Sequence, residues 1–168
     1  NIPFTRMLAG STDYHLGGFR AVSERAFKVQ YTRPLVLGTR CHMLAMYVVL
    51  ESYLGMVCDF PDAYIDQAGF DFIRAVPTVW DETLVIGGMP GEWLSIARRK
   101  GSDWFVGSIT NNSARTEHLA LGFLPAGLYT ADIYGDGPDA GHDPNTIAQQ
   151  RITVAGGGQA VHFRKSRN

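Results

Sequence analysis

The sequence "VPTVWDET", residues 76–83, marks a change in the pattern of the chain. Beyond it, short stretches of alternating apolar and polar side chains are separated by turn residues, such as Gly87-Gly88, which is typical of antiparallel strands. The predicted strands lie near residues 78–87, 92–99, 103–110, 115–123, 127–134, 149–155 and 159–164. Seven short strands without helices predict an all-β sandwich over residues 77–168.

Before Pro77 the sequence mixes helix and strand patterns. Two short apolar runs, Ile2–Leu8 and Gly55–Cys58, predict buried strands, and the polar, glycine-rich residues 10–38 predict a long loop. Thr39 is a suitable N-cap for a helix over "RCHMLAMYVVLES", and "DAYIDQAGFDFIRAV" predicts a second helix. Residues 1–76 are therefore predicted to be an α/β segment.

The composition excludes several classes of partner and site. The formal net charge is -1, so the chain has no basic field to hold nucleic acid or an anionic membrane. No run of about 18 apolar residues predicts a membrane span, and the first residues do not resemble a signal peptide. The two cysteines, Cys41 and Cys58, make no disulfide framework and are expected to be buried free thiols.

Asp81 and Glu82 form the most conspicuous pair of carboxylates. A glycosidase needs two carboxyl groups that project into one cleft, about 5–9.5 Å apart. Adjacent residues on a strand point to opposite faces of the sheet, so these two are not expected to converge on one atom. We interpret them as a polar pair at a strand edge beside the domain junction.

The glycine-rich segment "GDGPDAGHDPNT", residues 135–146, contains four residues that could bind a cation: Asp136, Asp139, His142 and Asp143. Their spacing does not match that of an EF-hand calcium loop. We therefore expect a solvated loop whose Asp and Gly residues make turns, and we assign no metal site to this chain.

Asp59 and the pair Asp13-Tyr14 follow the two predicted strands of residues 1–76. In a (β/α)8 barrel the loops after the strands form the active site, so these residues are candidates for substrate contact. Asp59 has a simpler alternative role in a turn or helix cap just before Pro61. For Asp13-Tyr14 the functional and structural interpretations both stand.

Five segments of the chain carry a family resemblance. They are "IPFTRMLAGSTDY", "GTRCHMLAMYVVLES", "MVCDFPDAY", "VPTVWDET" and "IARRKGSDWFVGSITN". In this order they resemble glycoside hydrolase family 97, the α-glucosidases and α-galactosidases of carbohydrate-degrading bacteria. The resemblance implies an enzyme with an N-terminal β-domain, a catalytic (β/α)8 barrel and a C-terminal sandwich. Residues 1–76 would be the last strands and helices of the barrel, and residues 77–168 the sandwich.

The resemblance also implies calcium dependence and a periplasmic or secreted location. The catalytic and calcium-binding carboxylates are expected in segments before Asn1, so no catalytic or calcium-binding residue is assigned here. Asp13-Tyr14 match the first two residues of the family's "DYTPG", whereas His15-Leu16 replace its Thr-Pro. The substrate-loop candidates are thus Asp13, Tyr14 and Asp59.

Three functional hypotheses follow. The chain is the C-terminal fragment of an enzyme acting on α-linked gluco- or galacto-oligosaccharides and is inactive by itself, since two strands of eight cannot close a barrel. Alternatively it is a carbohydrate-binding module that uses Trp80, Trp93 and Trp104, although Trp104 alternates in phase with Val106 and is expected in the core. A purely structural sandwich that supports the barrel is the third. We also expect self-association through the incomplete barrel face.

Overall fold

The computed structural model describes residues 1–158 and the backbone of residues 160–165. The two α-helices are α1 (Arg40–Val49) and α2 (Phe70–Ala75). The strands are β1 (Arg20–Val22), β2 (Leu35–Leu37), β3 (Glu82–Met89), β4 (Trp93–Lys100), β5 (Asp103–Thr110), β6 (Arg115–Ala120), β7 (Leu128–Asp136), β8 (Ile147–Ala155) and β9 (Ala160–Lys165).

The seven strands predicted beyond Pro77 are all present, and every pairing among them is antiparallel. Strands β3, β4 and β5 form one sheet in that order, β6 pairs with β9, and β7 pairs with β8. In β4 the side chains of Leu94 and Ile96 are buried as predicted, but Ser95 and Ala97 between them are fully buried too, so both faces of this strand are covered. The all-β C-terminal part of the fold is thereby confirmed.

Helix α1 begins as predicted, because the Thr39 hydroxyl accepts a hydrogen bond from the His42 amide at 3.2 Å. The helix lies directly across β5 at Gly107. A Cβ built on Gly107 would stand only 2.8 Å from the Ala45 oxygen and 2.8 Å from the Val48 Cβ. Val49 at the helix end packs with strand residues in one buried cluster. Helix α1 therefore shares a core with the sandwich strands, across the boundary predicted at Pro77.

The strand predicted over Ile2–Leu8 is wrong. The structure has two 3₁₀ turns there, Ile2–Phe4 and Arg6–Ala9, and neither contains a buried residue. Pro3 lies in the first turn, where its fixed φ suits a helix start and its missing N–H costs nothing. The apolar run alone does not supply the neighbouring strand that pairing requires.

The strand predicted over Gly55–Cys58 is reduced to one parallel bridge between Met56 and His15. Val57 is 52% exposed, so this run is not buried. A bridge of a single residue pair reflects two loops that run side by side rather than a sheet.

The loop and second helix of the first part also differ from expectation. Residues 10–38 include the short parallel strands β1 and β2, and Phe19 beside them is fully buried. The predicted helix over residues 62–76 starts only at Phe70, after a 3₁₀ turn at Pro61–Ala63. Asp66 and Gly69 have φ values of 57° and 86°, which no continuous right-handed helix accommodates. The barrel end and the boundary at Pro77 stay predictions.

No helix within the described residues is both long and apolar enough to cross a bilayer.

Candidate functional site

The two loops with the predicted substrate contacts lie side by side. His15, two residues after Asp13, forms a parallel bridge with Met56, which shortly precedes Asp59. Asp59 also approaches the first loop at Gly18: its Oδ2 lies 3.4 Å from the position of a Cβ built on that glycine. The structure thus brings the loop of Asp13-Tyr14 and the loop of Asp59 together.

Asp59 is held in place by a buried ion pair. Its carboxylate is fully buried. The Oδ1 atom accepts one hydrogen bond from Arg20 Nη1 at 2.6 Å and another from the Phe60 amide at 2.8 Å. Its φ of 98° is rare for a residue with a side chain, and such strain persists where the surroundings fix the conformation. In this arrangement Asp59 faces Arg20, and its role as a substrate-loop residue stays a prediction.

The other two candidates differ in exposure. Asp13 is exposed, whereas Tyr14 is half-buried against the cluster formed by Leu16, Ala21 and Met43. Burial raises the pKa of Tyr14, so its phenol stays protonated at neutral pH. Of the three candidates, Asp13 therefore offers the charge that solvent or a ligand can reach in this chain.

The buried Tyr64 and the half-buried Tyr47 hold the second loop through its backbone. Tyr47 donates to the Met56 oxygen at 3.0 Å, and Tyr64 donates to the Cys58 oxygen. Burial, with a smaller effect of the nearby Asp59 charge, raises the pKa of Tyr64 to about 12, and burial raises the pKa of Tyr47 further still. Both phenols remain hydrogen-bond donors over the physiological pH range, so residues 56–59 have fixed anchors.

The pair Asp81 and Glu82 makes local ion pairs at a strand end. Asp81 accepts from the Gly101 amide at 2.7 Å and from Lys100 at 3.1 Å, and these bonds lower the pKa of its carboxyl. Glu82 accepts from Arg99 Nε at 3.1 Å. Arg99 also lies 3.9 Å from Asp81, so the strict opposite-face expectation does not hold. Strand β3 begins at Glu82, and alternation does not extend to the residue before it.

The loop over residues 137–146 is not simply solvated. Asn145 docks on strand β1: its Oδ1 accepts from the Ala21 amide, and its Nδ2 donates to the Ala21 oxygen, both at 2.9 Å. The same Oδ1 accepts from the buried Arg40 at 2.9 Å. The loop therefore ties the first part of the chain to the sandwich.

Within this loop, the carboxylate of Asp143 bonds to its neighbour Asn145. Asp143 accepts from both nitrogens of Asn145, at 3.0 and 2.9 Å, which lowers the pKa of its carboxyl. In the described part of the chain, no three side chains of the His, Cys, Asp or Glu type are grouped to hold a metal ion. The side chains that the structure describes therefore do not form a three-ligand calcium site.

Two buried arginines that the sequence analysis did not select join the parts of the chain. Arg40 donates to the Phe19 oxygen at 3.0 Å, and its guanidinium lies 4.4 Å from the centre of the Phe19 ring. Arg98, on β4, donates to the end of helix α1. A sequence signal for Arg98 existed, because it alternates in phase with the buried Leu94 and Ile96. No comparable local pattern marks Arg40.

The three tryptophans make contacts within the protein. Trp104 packs against Phe123 with ring centres 4.8 Å apart and is half-buried beside a buried cluster, whereas Val106, which was expected to be in phase with it in the core, is 38% exposed. Trp80 meets Phe105 edge to face at 5.4 Å. The Trp93 ring covers Gly87, where a Cβ would stand 2.6 Å from it. These contacts weigh against an exposed aromatic platform for sugar rings.

A cavity of about 630 Å³ lies between the two helices and strands β5 to β7. Aromatic and aliphatic side chains such as Phe72 and Trp104 line it. Asp71 at this cavity accepts from the Tyr134 hydroxyl at 2.6 Å, and this bond, together with burial as the larger cause, raises the pKa of Tyr134 to about 12. Three further aspartates, Asp103, Asp132 and Asp136, belong to the lining of this cavity, and Asp132 is paired with Arg151.

Comparison with known proteins now decides the family. The family described as "Glycosyl-hydrolase 97 C-terminal, oligomerisation" matches residues 79–166, more than half of the chain. The chain belongs to this C-terminal family of glycoside hydrolase family 97. The match coincides with strands β3 to β9, so the family-97 C-terminal domain is the antiparallel unit described above.

The family-97 chain also resembles two curated enzymes. Over 83% of this chain, the sequence is 43% identical to a retaining alpha-galactosidase of Bacteroides thetaiotaomicron. Over 82% of this chain, it is 30% identical to a probable retaining alpha-galactosidase of Streptomyces bingchenggensis. These alignments cover 21% and 20% of the two relatives. The chain thus spans about a fifth of the length of these relatives.

Solved structures agree on the fold. A glycoside hydrolase family 97 enzyme from Pseudoalteromonas sp. strain K8, in complex with acarbose, superimposes with a TM-score of 0.82 and 32% identity. The alignment covers 97% of this chain and 26% of that enzyme. A beta-arabinopyranosidase shares the fold at a TM-score of 0.74 and 22% identity, over 96% of this chain and 24% of the other.

Proposed function

We propose that this chain is the C-terminal, non-catalytic portion of an enzyme that hydrolyses α-linked galactosides. The family match over residues 79–166, with 43% identity to a retaining alpha-galactosidase, is the observation that carries this proposal. Both curated relatives bear the alpha-galactosidase name, which favours galactosides over the glucosides that the family resemblance also allows.

The chain by itself is proposed to be inactive for a physical reason. Hydrolysis needs an acid and a base or nucleophile that face each other across one glycosidic bond. Three carboxylates instead pair with arginines, Asp59 with Arg20, Glu82 with Arg99 and Asp132 with Arg151, whereas Asp13 is exposed. This distribution of ion pairs supports a structural role for the carboxylates.

Residues 1–76 are proposed to complete the catalytic barrel of the longer enzyme. The likeness to the family-97 enzyme over 97% of this chain supports this, because it includes these residues as well as the sandwich. Asp13, Tyr14 and Asp59 would then lie in loops on the substrate side. Calcium would be bound outside this chain, and a periplasmic or secreted location remains part of the proposal.

The sandwich is proposed to associate with a second copy of the chain. The description of the matched family names oligomerisation, which directs attention to residues 79–166. On the edge strand β3, Val85 is 68% and Met89 is 52% exposed. The proposed barrel segment carries further exposed apolar side chains, with Leu54 66% and Phe60 56% exposed. Exposed apolar side chains on an open strand edge favour association.

Two measurements test the proposed function. Light scattering after size exclusion is expected to show an oligomer for the purified chain, and an aryl α-galactoside is expected to show no turnover. The double variant Val85→Lys with Met89→Lys is expected to give a monomer. If the proposed barrel segment forms the contact instead, the double variant Leu54→Lys with Phe60→Lys gives the monomer. A monomer at high concentration contradicts the association, and turnover by the isolated chain contradicts the non-catalytic role.

A further inference from the structure

The side chains of Cys58 and His15 meet where the two adjacent loops join. The sulfur of Cys58 lies 3.2 Å from His15 Nδ1, within hydrogen-bonding distance for sulfur. The imidazole is exposed and the thiol is half-buried. A thiol beside an imidazole is the arrangement that activates sulfur nucleophiles, because the ring can take the thiol proton.

The protonation of the imidazole can be read from its other contact. His15 Nδ1 also accepts a hydrogen bond from the Gly17 amide at 3.2 Å. A nitrogen that accepts from an amide carries no proton itself, so Nδ1 is the basic nitrogen of the neutral ring. The hydrogen between sulfur and Nδ1 is therefore the thiol proton, which shares the single lone pair of Nδ1 with the Gly17 amide.

Both partners are held by their neighbours. The Cys58 oxygen accepts from Tyr64, and the next residue, Asp59, is fixed by Arg20. Because Arg20 neutralises Asp59, that carboxylate does not oppose a thiolate beside it. On the other side, the bridge to Met56 fixes the backbone of His15. The sulfur and the imidazole are thus preorganised rather than brought together by chance rotation of free side chains.

We propose that Cys58 is a nucleophilic thiol, activated by His15, that is modified by soft carbon electrophiles. In the step with a haloacetamide, the Cys58 sulfur forms a bond to the methylene carbon, and iodide leaves with the electron pair of the carbon–iodine bond. The thiol proton passes to His15 Nδ1 and from the exposed ring to solvent. This assignment does not depend on the proposed function, since it concerns the sulfur and its base alone.

Cys41 provides an internal comparison within the same chain. Its sulfur lies 3.0 Å from the Tyr134 oxygen, to which the thiol donates. A carbonyl oxygen accepts this hydrogen bond but cannot take the proton, so it does not act as a base towards this sulfur. The two cysteines are both half-buried. A difference in their rates of alkylation therefore reports the partner of the sulfur more than its exposure.

The test uses iodoacetamide on the purified chain, with the rate at each cysteine followed by mass spectrometry of its peptide. At pH 7 Cys58 is expected to react at least about tenfold faster than Cys41. His15→Asn, which keeps a hydrogen-bond acceptor but not a base, is expected to lower the Cys58 rate by about tenfold and to leave the Cys41 rate unchanged. His142→Asn, at an exposed histidine elsewhere, serves as the matched control and should change neither rate.

Equal rates at Cys58 and Cys41, or a Cys58 rate unaffected by His15→Asn, would overturn the assignment. If that variant does not fold, as judged by circular dichroism, the natural chain decides instead. At pH 7 an activated Cys58 is expected to react at least about tenfold faster than N-acetylcysteine, and a rate no greater than that of N-acetylcysteine contradicts the proposal.

Discussion

Arg98 on strand β4 donates from Nε to the main-chain oxygen of Val48 at 2.6 Å, where helix α1 ends. The same guanidinium donates to Thr83 on β3 at 2.8 Å and is only 1% exposed. The last carbonyl groups of a helix lack partners within the helix and carry partial negative charge. A strand residue thus caps the helix from the sheet side, and joins the two parts of the chain by a buried charge-assisted hydrogen bond.

Replacing Arg98 with methionine is expected to lower the free energy of unfolding by about 2–4 kcal/mol. Methionine keeps apolar volume but leaves the carbonyl oxygen of Val48 buried without its donor. Urea unfolding followed by circular dichroism measures the change. Arg99→Met is the matched control, since Arg99 pairs with the exposed Asp81 and Glu82, and should cost less than about 1 kcal/mol. Equal losses for both variants would contradict the capping role.

The strands beyond Pro77 were predictable because each carries its own signal. Period-two alternation and turn residues are local, so the sequence predicts β4 and β5 within one or two residues of their observed ends. The same reasoning fails for Ile2–Leu8, where an apolar run has no strand beside it in the described chain. An apolar run indicates burial, but it becomes a strand only if another segment of the chain pairs with it, and the run itself does not reveal that segment.

Local sequence patterns could not predict most contacts of the candidate site. Asn145 and Ala21 are 124 residues apart, and Cys58 and His15 are 43 residues apart. Their proximity depends on how loops cross, which periodicity does not encode. Arg98 had a local signal that the sequence analysis did not use, because it stands in phase with the buried Leu94 and Ile96, and a buried arginine needs acceptors. Sequence analysis identified Asp59, but not the Arg20 that holds it.

Gly107→Ala is expected to lower the free energy of unfolding by about 1–3 kcal/mol. The added methyl group would stand 2.8 Å from the Ala45 oxygen and the Val48 Cβ, so helix α1 must move away from β5. Thermal melts measure the effect. Gly122→Ala, where a Cβ meets no atom within 4 Å, is the control and is expected to be neutral or slightly stabilising. A neutral Gly107→Ala would show that α1 is not packed against this strand.

Asn145→Ala is expected to destabilise the chain by about 2–3 kcal/mol. The change removes both hydrogen bonds to the Ala21 backbone and one from Arg40. Hydrogen exchange measured by NMR gives a local test. Loss of the Asn145 contact speeds exchange of the Ala21 amide in particular, whereas a general loss of stability speeds exchange of many amides. Asn112→Ala, in an exposed turn, is the control and should change stability by less than about 0.5 kcal/mol. Unchanged protection of the Ala21 amide would exclude docking by Asn145.

The same loop predicts a response to acid through Asp143. Hydrogen bonds from the side chain and the amide of Asn145 lower the pKa of Asp143 below its ordinary value of 3.8. A carboxyl whose pKa is depressed by folding adds stability that is fully present above the unfolded value and is lost as pH falls through the folded value. Urea unfolding from pH 6 to pH 2.5 should therefore show stability falling below about pH 4.

The Asp143→Asn variant isolates this contribution. It lacks the titrating group, so the difference in unfolding free energy between the natural chain and the variant is expected to shrink as pH falls below about 4. The shift is caused mainly by Asn145, so the same comparison made in the Asn145→Ala background should show a difference that varies less with pH. A difference that stays constant with pH in the natural background would rule out the bonds of Asn145 as the cause.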